Sequence, residues 1–354
     1  MRARTWAAAS LTGLACLACP PGRALDLEPL QSGLDYHSFA NVEQFVITRL
    51  QLDVRVDPKD KVLRAVAGLS LKRLDPGATE LVLDTRDLDI QGVAQKAQGV
   101  LGATAKSETT WVSRPFHFER KDPVLGQALV IELPPSGKTT ELVRIEYETA
   151  PGAPGLTWVD AAHTAGGSRP IFYTRSEPIG ARSWIPLQDS PQMRLTVVAT
   201  VHTPPDVIAL MGAGNDPKVK RNGEYAFAQS DPVPPHLLTL VVGDFRFAAT
   251  GARTGVYAEK PLLKASAAEF ADTELLLRAQ EALFGPMPAK RQDIIVLTKD
   301  FPVGGFETAE LAAVSPTLLA GDKALVGGIA HELAHGWAGV RAGHATWRDA
   351  WIEE

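Results

Sequence analysis

Cysteine is all but missing from this chain: two in 354 residues, at positions 16 and 19, and none afterwards. Everything downstream therefore lacks a disulfide framework, a cysteine nucleophile and a thiolate-ligated metal. A surplus of positive charge is missing too. With 36 Lys and Arg against 41 Asp and Glu, the formal charge of −5 leaves no basic footprint, and nucleic acid is not an expected partner. Beyond the N-terminal segment there is no apolar run of bilayer length, no internal repeat and no low-complexity tract. What is there, 45% hydrophobic and 22% charged, is ordinary globular composition in a chain long enough for two domains.

Met1-Arg2-Ala3-Arg4 precedes an apolar run from Trp6 to about Ala18 and a small-residue exit ending at Ala24. A basic start, a short apolar run and small residues before a cleavage point describe a secretory signal over residues 1–24, too short to span a bilayer. The protein is expected to be exported, periplasmic or secreted. Cys16 and Cys19 are candidate lipid-anchor sites, but neither follows a leucine-small-small pattern.

From Arg49 to Val56, apolar Leu50, Leu52, Val54 and Val56 alternate with polar neighbours, the period of a half-buried strand. Short β-rich runs recur at 62–74, 80–90, 128–133, 141–149, 194–202 and 236–242, each bounded by turn residues. They predict one large antiparallel β domain over residues 25–243. After Phe245 the texture changes: 264–284 has helical spacing, 293–297 reads as a short buried strand, and Asp322 is placed to cap a helix running through His331 to about Gly339. A mixed α/β region is expected over 244–354. Gly327 and Gly328 would each cost that helix about 1 kcal/mol against Ala, so either something packs closely there or the helix starts late.

His331-Glu332-Leu333-Ala334-His335 is the segment that carries chemistry. Two histidines four apart share a helix face and can bind one Zn²⁺ through imidazole nitrogen, with the glutamate between them placed to act on a water. A catalytic zinc wants a third protein ligand. Glu354 follows His335 after eighteen residues, and Glu353 competes with it, since neighbours on a helix point about 100° apart. Upstream, Gly304-Gly305-Phe306-Glu307 follows the 293–297 strand. Glycines on a strand edge admit a peptide backbone, and a carboxylate at its end can receive an amine. His37, His117, His163, His202, His236 and His344 lack ligand-like spacing and read as surface or internally satisfied groups. Trp337, Trp347 and Trp351 read as packing between paired helices.

Together these segments resemble the gluzincin zinc metallo-aminopeptidases, the family of aminopeptidase N and the leukotriene hydrolases, whose hallmarks are G-x-M-E-N and H-E-x-x-H followed after eighteen residues by E. The leukotriene hydrolase branch is nearest in texture, through Ser315 to Lys323, Pro186 to Pro191 and Leu238 to Gly243. The resemblance covers nearly all of the chain after the signal. It implies an α+β multidomain fold, a large antiparallel β N-terminal domain followed by the first part of a thermolysin-like α/β catalytic domain. It implies one zinc per chain held by His331, His335 and Glu354, with Glu332 as general base. It assigns Glu307 and Glu177 to the free α-amine of a peptide substrate, and Gly304 and Gly305 to its backbone.

Phe306 stands where the family has Met, Thr308 and Glu353 where it has Asn, and Val340 where an Asn is common. The family also places a transition-state-stabilising tyrosine, the rest of the catalytic domain and a helical domain beyond the third ligand, so the chain is expected to be an incomplete fragment. The expected activity is removal of N-terminal residues from peptides. The alternatives are an epoxide hydrolase of the leukotriene type and a non-catalytic peptide-binding fragment.

Overall fold

A computed structural model describes residues 35–97, 110–287, 289–301, 305–306 and 308–353. The expected export signal, with Cys16 and Cys19, lies outside the described residues, as do Gly304, Glu307 and Glu354.

The alternation that begins at Leu50 builds the main sheet. Its seven strands run, in spatial order, Glu224–Val233, Leu195–His202, Phe45–Asp57, Val62–Arg73, Thr140–Thr149, Leu88–Lys96 and Trp111–Ser113. Every pairing is antiparallel except Phe45–Asp57 with Leu195–His202. Leu50, Leu52, Val54 and Val56 all point inward, as a period of two requires. Their inner face packs on a three-stranded sheet (Glu80–Thr85, Gln127–Glu132, Phe116–Phe118) and a four-stranded sheet (Ile208–Met211, Leu240–Gly243, Ile171–Thr174, Leu156–Val159) through one continuous apolar core.

Three expected elements are redrawn. The 80–90 run is two strands in different sheets, Glu80–Thr85 and Leu88–Lys96, divided where Asp87 takes φ +56°. The 236–242 run is a 3-10 turn, Pro235–Leu237, followed by the strand Leu240–Gly243. The 264–284 helix is two helices, α1 (Lys260–Glu269) and α2 (Thr273–Phe284), broken where fully buried Phe270 leaves the helix and Thr273 Oγ1 donates to its carbonyl.

A buried arginine knits the β region together. Arg182 is 0% exposed and donates to Asp189 Oδ2 at 2.9 Å, to the carbonyl of His37 and to that of Leu125. Asp84, 3.7 Å from the same guanidinium, accepts from Ser38, the Phe39 N–H and the Asp189 N–H. Burial pushes the Asp189 carboxyl up to about 6 despite the arginine.

After Gly243 comes a five-stranded sheet in the order Phe245–Ala249, Thr254–Glu259, Gln292–Val296, Leu311–Val314, Gly305–Phe306. The two pairings at its centre are parallel and the two at its margins antiparallel. Against it lies α3 (Val326–Ala334), whose Ile329 and Leu333, one turn apart, are fully buried on Val256, Ile294, Val296 and Val314. Burial of that size is worth about 1.5–3 kcal/mol per side chain. The helix starts later and ends sooner than expected. Asp322 does not cap it but accepts the Ala324 N–H in a preceding turn, Gly327 meets no neighbour, and Gly328 makes only ordinary contact with Leu318. Trp337 packs on Phe284 and donates to the Gly285 carbonyl, tying α2 to the end of α3, whereas Trp351 is 74% exposed.

Candidate active site

Because α3 seats Ile329 and Leu333 on the sheet, His331 and His335, four apart, share a face turned away from that seat, and Glu332 lies between the two faces. His335 closes the helix as its C-cap and His331 sits one turn earlier. Their rings are nearly perpendicular, at 87°, and their Nε2 atoms are 3.1 Å apart. A direct bond between those nitrogens needs a proton on one of them; a shared cation needs none. Zn–N bonds of about 2.0–2.1 Å in a tetrahedral arrangement place two ligand nitrogens about 3.3 Å apart, so the pair fits zinc. His335 Nδ1 lies 3.2 Å from the Ala338 carbonyl, which holds the Nδ1–H tautomer and leaves Nε2 to a metal. His335 is buried and His331 exposed, so the pair faces solvent on one side.

Glu332 is 7% exposed and lies against the outermost strand of the five-stranded sheet. A Cβ on Gly305 would stand 2.4 Å from Glu332 Oε1 and 2.7 Å from the Ala313 carbonyl. Only glycine leaves room there for the carboxylate. Gly305 and Phe306 pair with Val314 and Ala313 on one side and end the sheet on the other. Phe306 in turn touches Phe301, which meets Tyr173 edge-on at 5.7 Å. Tyr173 belongs to the strand Ile171–Thr174, which leads to Glu177. That segment is anchored by Ser176, whose hydroxyl donates to the Leu238 carbonyl and accepts from Trp184 Nε1. Thr308 is buried, its hydroxyl bridging both backbone groups of Leu311.

The structure thus brings together His331, His335, Glu332 and Gly305; Glu177 follows the strand Ile171–Thr174, whose Tyr173 reaches Phe301. Among the described residues no group of three or more His, Cys, Asp or Glu side chains is arranged to hold a metal. Glu354, the expected third ligand, is not among those residues, nor are Gly304 and Glu307.

Histidine spacing alone missed a second cluster. His236 and His344 are buried, not on the surface, and stack on each other at 5.7 Å, with Trp347 edge-on to both. Burial, then the nearby His344 and Arg194, pushes His236 down to about 3. Nothing in local sequence ties residue 236 to residue 344.

Comparison with known proteins identifies the family and the fold. Residues 45–237 match the Peptidase M1 N-terminal domain and residues 268–354 the Peptidase family M1 domain. Leukotriene A-4 hydrolase of Xenopus laevis is 34% identical over 330 residues, 90% of this chain and 51% of that protein. Aminopeptidase B of Rattus norvegicus is 33% identical over 340 residues, 92% of this chain and 51% of its own length. Among solved structures, yeast LTA4 hydrolase in complex with bestatin superposes with a TM-score of 0.82 at 28% identity, covering 95% of this chain and 49% of that one. The chain spans about half the length of the curated relatives it matches. Its fold is that of a large β domain followed by the first part of a thermolysin-like catalytic domain, and the chain belongs to peptidase family M1.

Proposed function

We propose that this chain carries the metal-binding and amine-recognising part of a zinc-dependent aminopeptidase. Peptidases of this family are zinc-dependent in general and act on peptides. The observation that carries the proposal is the convergence of His331 and His335 at 3.1 Å beside a buried Glu332. His331, His335 and Glu354 would hold one zinc per chain. When bound, the ion supplies Lewis acidity toward a carbonyl and a water.

Glu332 takes the proton from the attacking water and returns it to the departing amine, a role suited to a carboxylate held in one place against Gly305. Gly304 and Gly305 pair with the substrate backbone along the last strand of the sheet. Glu307 and Glu177 hold the substrate ammonium, and two carboxylates at the closed end of a cleft favour a cation with nothing before it. One residue is then removed at a time. We infer as well that residues 1–24 are an export signal and that the β and catalytic portions meet at 243/244. Export rests on the N-terminal sequence alone. Among the described residues no helix is long and apolar enough to cross a membrane.

The test is Glu307→Ala in the longest natural chain that carries this sequence. It should lower kcat/KM far more for aminoacyl anilides with a free amine than for N-acylated ones, since only the former present a charge to pair. Equal loss on both would remove the amine anchor. Similarity to leukotriene A-4 hydrolase favours one second reading, epoxide hydrolysis at the same site. Parallel assays on an allylic epoxide and an aminoacyl anilide separate the two.

A further inference from the structure

The four-stranded sheet of the β region sets a row of apolar side chains on one face. Phe172 is the register partner of Trp158 on one side and of Val242 on the other, so the three stand together, and the Trp158 and Phe172 rings pack with centroids 4.3 Å apart. With Val56 and Pro58, from the end of the strand Phe45–Asp57, this row lines a cavity of about 220 Å³. An apolar cavity of about 150 Å³ already admits a benzene ring. The space is therefore large enough for one aromatic ring and a short polar tail.

Three polar features belong to the same cavity. Arg169 and Asp206, both partly exposed, form an ion pair in its lining. Trp158 Nε1 is buried with no acceptor among the described residues, a donor left over for a ligand oxygen. A mere packing gap between two sheets needs none of these groups. A cation, an anion and a spare donor around an aromatic wall match a small molecule that carries a ring and both charges. None of the lining residues belongs to the candidate active site.

We propose that this cavity binds a free aromatic α-amino acid. The ligand ring lies against Trp158 and Phe172, its carboxylate accepts from Arg169 and its ammonium donates to Asp206, so each charge meets its opposite. Such a ligand is of the class that the proposed reaction releases, but the site stands without that reading.

The test titrates L-phenylalanine into the 354-residue chain, metal-free and with chelator present, and follows saturation transfer from protein to ligand by NMR. A dissociation constant of about 0.1–1 mM is expected for a ligand of about twelve non-hydrogen atoms. L-Alanine, which lacks the ring, should bind about 10–100-fold more weakly. Arg169→Met should weaken L-phenylalanine and 3-phenylpropionate about 10-fold and should not weaken phenethylamine, which has no carboxylate. Asp206→Asn should weaken L-phenylalanine and phenethylamine and should not weaken 3-phenylpropionate. Trp158→Leu should weaken all three, because each offers a ring to the same wall. Absence of saturable binding, equal effects of the two charge variants on all three ligands, or a Trp158→Leu chain that binds like its parent would overturn the site. Binding that His335→Ala removes and Arg169→Met spares would assign the ligand to the catalytic cleft and overturn the site as well. Thermal melts check the fold of each variant; if Trp158→Leu does not fold, the two charge variants, both at partly exposed positions, carry the comparison.

Discussion

The carboxylate of Glu332 rests on the backbone of Gly305, so closely that a single added carbon at 305 would lie 2.4 Å from Oε1. The helix that carries the histidines and the strand edge that would receive a peptide are therefore registered to each other at one atom.

Gly305→Ala tests that registration. The methyl group must push Glu332 aside or shift the strand, since the Ala313 carbonyl blocks the other way out at 2.7 Å. Overpacking of this kind costs about 1–3 kcal/mol, and a displacement near 1 Å costs about 100-fold in rate. Zinc content should stay the same while kcat falls. A variant with normal kcat would show that Glu332 is not held by the strand edge.

Arg182→Met should destabilise the β region by about 3–5 kcal/mol, because Asp84 and Asp189 would be left buried without their shared cation. Urea unfolding of the two proteins at pH 7 measures it. A loss below about 1 kcal/mol would mean that the hydrogen bonds to Asp84 from Ser38, Phe39 and Asp189 suffice without the charge.

His236 makes stability depend on acid. Its folded value, about 3, lies below its ordinary 6.5, so the unfolded chain binds the extra proton between those values. The contribution is complete above about pH 6.5 and is lost as pH falls toward 3, at no more than about 1.4 kcal/mol per pH unit. Asp189, raised to about 6, acts in the opposite sense and is common to both proteins. The drop in Tm between pH 7 and pH 5 should accordingly be smaller in His236→Gln than in the parent. Identical drops would contradict the buried neutral imidazole.

The main sheet was legible because its strands bury one face, and Leu50 to Val56 announce that by alternation. Ile171–Thr174 and Ile208–Met211 bury every residue, so no period marks them. The helix break at Phe270 to Asp272 escaped notice because apolar spacing continues through it while the packing of Phe270 decides the chain's direction. At the site, His331, Glu332 and His335 were readable from a four-residue interval that one helical turn dictates. Arg194 and His236 were not, since they meet the catalytic portion only through tertiary contacts across more than a hundred residues.

The most direct test of the central claim is zinc analysis joined to turnover, in the longest natural chain carrying this sequence. About one zinc per chain is expected, with hydrolysis of aminoacyl anilides that a chelator abolishes. Glu332→Gln should keep the metal and lose about 100- to 10,000-fold in kcat, whereas His335→Ala should lose both metal and turnover. Chelator-resistant turnover, or a Glu332→Gln variant as fast as its parent, would contradict it.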